Sequence, residues 1–335
     1  MRKPKYLSPS SVKAWDSNRD EFYLKYLAEN RPEKFPQTKP MAAGSAFDAA
    51  IKSYLYYKLF GNYGPNNLYE PTTIFEAQVE KHNWDWARPV GKHIFDRYCL
   101  CGGMADLMLE LQKAAGPPRF EFSIEGFITG KAASVPVLGK PDVFFVNAEG
   151  ARVILDWKVN GYCSNSATSP KAGYVKCRDG WLPGERKATR GSGMPHASCI
   201  PTSYLGISIN KQILMEQVDV DWANQLSIYS WLLGEEVGSQ DLIIGIDQIC
   251  GQPGESGIPW LRFASHRCRI GGEYQFALHQ HVQDIWARIE SGHIFDTMTE
   301  EQSLVHQQDL DAMAKNLTGD DDLSKFMSQM RLANA

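Results

Sequence analysis

The sequence predicts a mixed α/β (α+β) fold, in which a mixed central sheet is flanked by helices and preceded by a helical arm. Three observations predict it. Apolar residues recur at helical spacing through the first third, which closes at Gly116-Pro117-Pro118. From Arg119 the pattern changes to short alternating or continuous apolar runs, as strands require. Beyond about residue 210, helix-like and strand-like segments follow one another, so helices stand before, between and after the strands.

Ser8-Pro9 sets a cap before a proline at the first helical position, and Val12, Trp15, Phe22, Tyr23 and Tyr26 follow at helical spacing. A proline-rich stretch, Arg31 to Pro40, reads as a break. Further helices are expected over Gly44–Phe60, Thr73–Arg88 and Lys92–Ala115. Arg119–Thr129, Val143–Val146 and Val153–Leu155 read as three adjacent antiparallel strands, with a turn at Asn147–Gly150. Residues 160–210 show no period and read as one long connection. A helix over Asp219–Gly234, strands at Leu242–Ile249 and Trp260–Arg269, a helix over Glu273–Ser291 and an acidic helical tail complete the chain. The expected organisation is a helical region 1–115, a core 116–295 that includes the connection, and a tail 296–335.

A chain of 335 residues with 43% hydrophobic and 22% charged residues is too apolar for disorder. It has no apolar run of the ~20 residues that a membrane crossing needs, so no membrane partner is expected. Seven cysteines without a secretory signal read as reduced thiols in a cytoplasmic setting. The net charge of −4 is unevenly spread. Residues 161–211 hold seven basic and two acidic residues, a net +5, which leaves −9 elsewhere. Lys171, Lys176, Arg178, Arg186, Lys187 and Arg190 are therefore candidate phosphate contacts, with Tyr174 and Trp181 available for stacking on bases; a solvated loop is the alternative.

The chemistry concentrates where two predicted strands meet. Asp142 opens one strand; Asp156 and Lys158 close its neighbour and, two apart, share a face. Paired carboxylates suit Mg²⁺ or Mn²⁺, and an adjacent ammonium can orient water and offset charge growing on a phosphate. An isolated Asp-x-Lys is ordinarily a salt bridge at a sheet edge. Gln225 and Tyr229, four apart, share a helix face.

Taken in order, these segments resemble the PD-(D/E)xK nuclease superfamily, in its RecB-like exonuclease branch of phage and recombination nucleases. The resemblance rests on Gly139-Lys140-Pro141-Asp142 and Leu155-Asp156-Trp157-Lys158. Leu7-Ser8-Pro9-Ser10-Ser11 with Phe22-Tyr23-Leu24-Lys25-Tyr26 precedes them, as does Gly44-Ser45-Ala46-Phe47-Asp48. Gln225-Leu226-Ser227-Ile228-Tyr229 follows. It spans roughly residues 7 to 290. It implies a restriction-endonuclease-like core and a Mg²⁺-dependent deoxyribonuclease, an exonuclease acting on DNA ends to leave 5′-phosphates. A structure-specific endonuclease and a non-catalytic DNA-binding module are the alternatives. Asp142 and Asp156 are then the metal ligands, joined by Asp48, Glu125 and the Trp157 carbonyl. Lys158 positions water, and Gln225 and Tyr229 support the site. The resemblance also implies a bacterial or phage-infected cell, and a single-strand annealing protein or helicase as partner.

Three departures stand out. Asp48 occupies the position where many relatives carry histidine, and Lys52, one turn on, offers it an ordinary ion pair instead. Glu121 and Glu125 both compete as the carboxylate of the preceding strand. The cysteines that hold an iron–sulfur cluster in some relatives are missing, since Asn18-Arg19 stands at the first and no cysteine follows Cys268, so no iron–sulfur cluster is expected. There is no Gly-x-x-x-x-Gly-Lys-Ser/Thr and hence no nucleotide-driven motor on this chain.

Overall fold

The computed structural model describes residues 1–29, 36–120, 122–129, 134–162, 176–179, 202–252 and 260–316. Lys171, Tyr174, Trp181, Arg186, Lys187, Arg190 and Glu121 lie outside them. The fold is mixed α/β, with a mixed central sheet covered by helices.

Helix α1 (Pro9–Ser17) starts where Ser8 caps it: the Ser8 and Ser11 hydroxyls each accept from the other's backbone N–H. Helix α2 (Arg19–Phe22), capped by Asn18, runs into a π-turn at Tyr23–Leu27. Helix α3 (Lys39–Phe60) begins earlier than its apolar pattern suggests. Pro40 stands in its first turn, where a missing N–H costs nothing, so the end of the proline-rich stretch opens a helix. The two helices expected over 73–115 are three: α4 (Pro71–Gln78), α5 (Trp84–Leu100) and α6 (Gly103–Leu111). Gly102, at φ 84°, makes the left-handed turn that separates the last two.

The expected strand over 119–129 is divided. Strand β1 (Arg119–Phe120) joins the central sheet, whereas β2 (Ile124–Thr129) pairs with β3 (Ser134–Gly139) in a separate hairpin. Pro136 stands within β3, which a two-stranded hairpin tolerates although the residue has no N–H. Strands β4 (Val143–Val146) and β5 (Arg152–Asn160) pair antiparallel, as expected. The 160–210 connection is less irregular than its composition. β6 (Lys176–Asp179) adds to the sheet, and β7 (Thr202–Tyr204) and β8 (Ile207–Ile209) form a hairpin. Helices α7 (Met215–Val218) and α8 (Val220–Leu232) follow, then β9 (Leu242–Gln252), β10 (Trp260–Cys268), α9 (Gly272–Ser291) and α10 (Glu300–Asn316).

The six-stranded sheet has the order β1-β4-β5-β9-β10-β6. β5 and β9 are parallel and every other pair is antiparallel. Alternation along β5 sends Val153, Leu155 and Trp157 into a core with Phe47 and Ile51 of α3 and Tyr98 of α5. Ile154 packs on the other face against Trp222, Leu226 and Tyr229 of α8. A separate cluster joins Trp15 and Phe22 to Ile285 and Trp286 of α9, Leu310 of α10 and Val135 of the β2–β3 hairpin, so the first helices pack with the last. Gly91 of α5 lets α3 approach closely: a Cβ there would lie 2.6 Å from the Ala46 backbone.

A buried polar network ties these helices to the sheet. Asp247 of β9 accepts from Tyr98 Oη (2.5 Å), Ser265 Oγ (3.1 Å) and Arg267 (2.9 Å), and Arg267 also reaches Glu110 of α6 at 3.1 Å. Beside it His266, 1% exposed, shares a 3.1 Å hydrogen bond with Gln248. Burial, and then the Arg267 charge, push the His266 imidazole down to about 3. Between that value and ~6.5 the unfolded chain holds a proton on this residue that the folded chain does not. Stability should therefore fall as pH drops through this window, by up to ~1.4 kcal/mol per unit from this residue alone. Urea midpoints of native and His266→Gln protein across the window test this: the variant should show the shallower decline, and equal slopes would refute the assignment.

Candidate active site

Strand β4 begins at Val143 opposite Leu155, and β5 runs five residues further, so the edge of β5 from Asp156 onward has no β4 neighbour. Asp142, just ahead of β4, fills that gap. Its Oδ2 accepts the Trp157 backbone N–H at 3.1 Å, and its Oδ1 accepts from Lys52 Nζ at 3.0 Å. In a strand the N–H and C=O of one residue face the same neighbour, so the Trp157 carbonyl is directed to the edge where Asp142 lies.

On the α8 face of β5, Asp156 is 3% exposed and pairs with Lys158. Gln225 links the group: its Oε1 accepts from Lys158 Nζ at 2.8 Å, and its Nε2 donates to Asp156 Oδ1 at 3.3 Å and Tyr229 Oη at 3.1 Å. Burial and then the Asp142 charge push the Asp156 carboxyl well above the ordinary carboxylate range. Burial raises Asp142 too, but Lys52, a hydrogen bond from Asp156, Lys158 and the Trp157 amide outweigh it and hold Asp142 below that range. Two carboxyls thus sit close enough to share a proton. Burial, then Asp156, raises the Tyr229 hydroxyl, which therefore serves as a neutral hydrogen-bonding group.

The structure also brings Asp48 to this corner. Lys52 Nζ lies 2.6 Å from Asp48 Oδ2 and 3.0 Å from Asp142 Oδ1, and Gln78 of α4 donates to Asp48 at 2.9 Å. The helical ion pair and a place in the cluster, alternatives in the sequence, are one contact. Asp48, Lys52, Lys140, Asp142 and Trp157 line an open cleft of about 420 Å³, with the exposed Lys140 among its walls.

Glu125 is a correction. Gly126 and Gly139 turn one face of the hairpin onto α8, so alternation points Glu125 the other way. Its side chain is 58% exposed and pairs with Lys5 at 3.2 Å. Of the basic residues in the connection, Lys176 and Arg178 belong to the outermost strand β6, opposite Ser265 and Phe263.

Sequence reasoning missed two residues. Lys52 is a solitary lysine within the otherwise apolar and small run from Ala49 to Leu55, a signal of burial that its pairing with Asp48 obscured. Gly139 leaves room for the Tyr229 ring, whose Cδ1 would stand 2.8 Å from an added Cβ.

Among the described residues, no three histidine, cysteine or carboxylate side chains gather as a metal-binding group. The donors at this corner are nonetheless all oxygen, the set that Mg²⁺ prefers: the Asp48, Asp142 and Asp156 carboxylates and the Trp157 carbonyl.

No family model matches the chain. No curated protein matches it. Among solved structures, the crystal structure of SSO0001 aligns at 12% identity over 88% of this chain and 95% of that one, with a TM-score of 0.27. That likeness is too slight to bear on fold or function. No helix among the described residues is long and apolar enough to cross a membrane.

Replacing Gly139 by alanine should displace the Tyr229 ring and the Leu232 side chain, each 2.8 Å from the added Cβ, at a cost of ~1–3 kcal/mol. Urea unfolding of Gly139→Ala in native and Tyr229→Ala backgrounds checks this, with a smaller cost expected in the second. Equal costs would show that the ring is not the obstacle.

Proposed function

We propose that this chain is a metal-dependent deoxyribonuclease with a PD-(D/E)xK restriction-endonuclease-like core, acting as an exonuclease on DNA ends. One observation carries the reading: Asp142, Asp156 and Lys158 meet where β5 outruns β4, and Gln225 of α8 hydrogen-bonds to both Asp156 and Lys158. A salt bridge at a sheet edge would not require the buried second carboxylate or the amide that fixes both ends of the pair.

Asp142, Asp156, Asp48 and the Trp157 carbonyl are the groups that would hold Mg²⁺, for which Mn²⁺ can substitute. When bound, such an ion polarises the phosphate and favours hydroxide. The chain's own residues do the rest. Lys158, held at 2.8 Å by Gln225, presents an ammonium that can donate to the attacking water and offset charge growing on the phosphate. Tyr229 braces Gln225. Lys140, exposed on the cleft wall, meets the phosphate backbone. The six basic residues of the 161–211 stretch named above extend that contact in this reading, and the resemblance supports work in DNA recombination, repair or phage DNA metabolism beside a single-strand annealing protein or a helicase.

The test is cleavage of end-labelled linear DNA in Mg²⁺ by the native chain, Lys158→Ala and Asp142→Ala, each checked for fold by circular dichroism. Native protein should shorten the DNA stepwise and leave a closed circle intact. Each variant should lose at least ~10²-fold in rate. Equal rates in all three would mean that another site, or another protein, does the work. Nicking of the circle would make the chain an endonuclease. No cleavage of single- or double-stranded ends in Mg²⁺ or Mn²⁺ would leave a DNA-binding module.

A further inference from the structure

Lys52 is the most deeply buried charge of the corner, with a side chain 1% exposed and an ammonium within 3.0 Å of a carboxylate on each side, one from its own helix and one from the sheet. A lysine is placed this deep only where its charge is matched. The match here is not one to one. Once the proton that Asp142 and Asp156 share is released, as divalent binding requires, Asp48, Asp142 and Asp156 face Lys52 and Lys158 with a formal sum of −1.

We propose that Lys52 is a positioning residue that acts as the site's built-in counter-cation: it holds Asp48 and Asp142 in the metal-free protein and weakens divalent binding until a phosphodiester arrives. This rests on the metal-dependent reading above. The charges carry the argument. A divalent ion takes the corner from −1 to +1, an unfavourable surplus in a buried setting, and one phosphodiester returns it to zero. Without the Lys52 charge the corner stands at −2, and a divalent ion alone neutralises it. Lys52 also contacts Asp48 Oδ2 and Asp142 Oδ1, oxygens that an incoming cation would use, so the ion competes with an ammonium already in place. Lys158 cannot take this part, because Asp156 and Gln225 hold it on the other face of β5.

The experiment is calorimetric titration of Mn²⁺ into the full chain without DNA, using native protein, Lys52→Met, Lys52→Gln and Lys52→Arg, with thermal unfolding as the check on fold. Both neutral variants should bind Mn²⁺ at least about tenfold more tightly than native protein, since a like charge within a few ångströms is gone. Lys52→Arg keeps the charge and should stay within about threefold of native. Lys52→Gln, whose amide can still donate to Asp142, carries the test if the methionine variant does not fold. Folded neutral variants that bind Mn²⁺ no more tightly than native protein would overturn the proposal while leaving the metal site intact. If native protein, the neutral variants and Asp142→Asn are all folded and all bind no Mn²⁺, the metal-dependent reading itself fails, and this proposal with it.

Discussion

The overhang of β5 beyond β4 is the constraint from which the rest of the site follows. A central strand whose neighbour falls short leaves backbone N–H groups that must find acceptors. Asp142 supplies one by accepting from Trp157. A carboxylate drawn into that position lies beside Asp156, and two buried negative charges at close range are costly unless cations or a shared proton offset them. Lys158 and Lys52 supply the cations, from opposite faces of the same strand. The polar corner thus begins as a consequence of unequal strand lengths.

Holding Lys52 there requires that α3 be fixed relative to the sheet, and the packing shows how. Asp247 stands opposite Trp157 in the parallel register and accepts a hydrogen bond from Tyr98, which anchors α5 to β9. Arg267 extends the same anchorage to α6 through Glu110. Gly91 then brings α5 against Ala46 of α3, one turn from the Asp48 and Lys52 pair. A second charged network, one strand away and largely buried, therefore sets the position of the first. Removing one partner from such a network generally costs ~3–5 kcal/mol, because the remaining charge is left uncompensated. Its disruption would be felt at the cleft as well as in the core.

How legible each feature was depended on how local its cause is. Asp156 and Lys158 share a face because strand periodicity is two, and Gln225 and Tyr229 share one because helix periodicity is 3.6; both facts are present in the spacing. Asp142 was reached through the antiparallel pairing of β4 with β5, which a tight turn at Asn147–Gly150 makes nearly inevitable. The mixed sheet and its helices were readable for the same reason. Glu125 was misassigned because its face depends on which sheet β2 joins, a choice made by Gly126 and Gly139 packing on α8. The β3 strand was not read in the sequence, and the division of α5 from α6 lay in the single positive φ of Gly102.

Lys52 shows the limit most clearly, because its meaning is not in its own helix. Seen from α3 alone it is one half of an Asp–Lys pair one turn apart, worth a few tenths of a kcal/mol on a solvated surface. The same pair, buried against β5, has a third member in Asp142, ninety residues away in sequence. Burial removes the water that would otherwise screen these charges, so an exposed pair of small consequence becomes part of the charge balance of the whole corner. Sequence spacing can nominate the pair, but only the fold decides how strongly it is felt. Here the decision falls to the close approach of α3 and the late start of β4, neither of which is written in the residues that carry the charge.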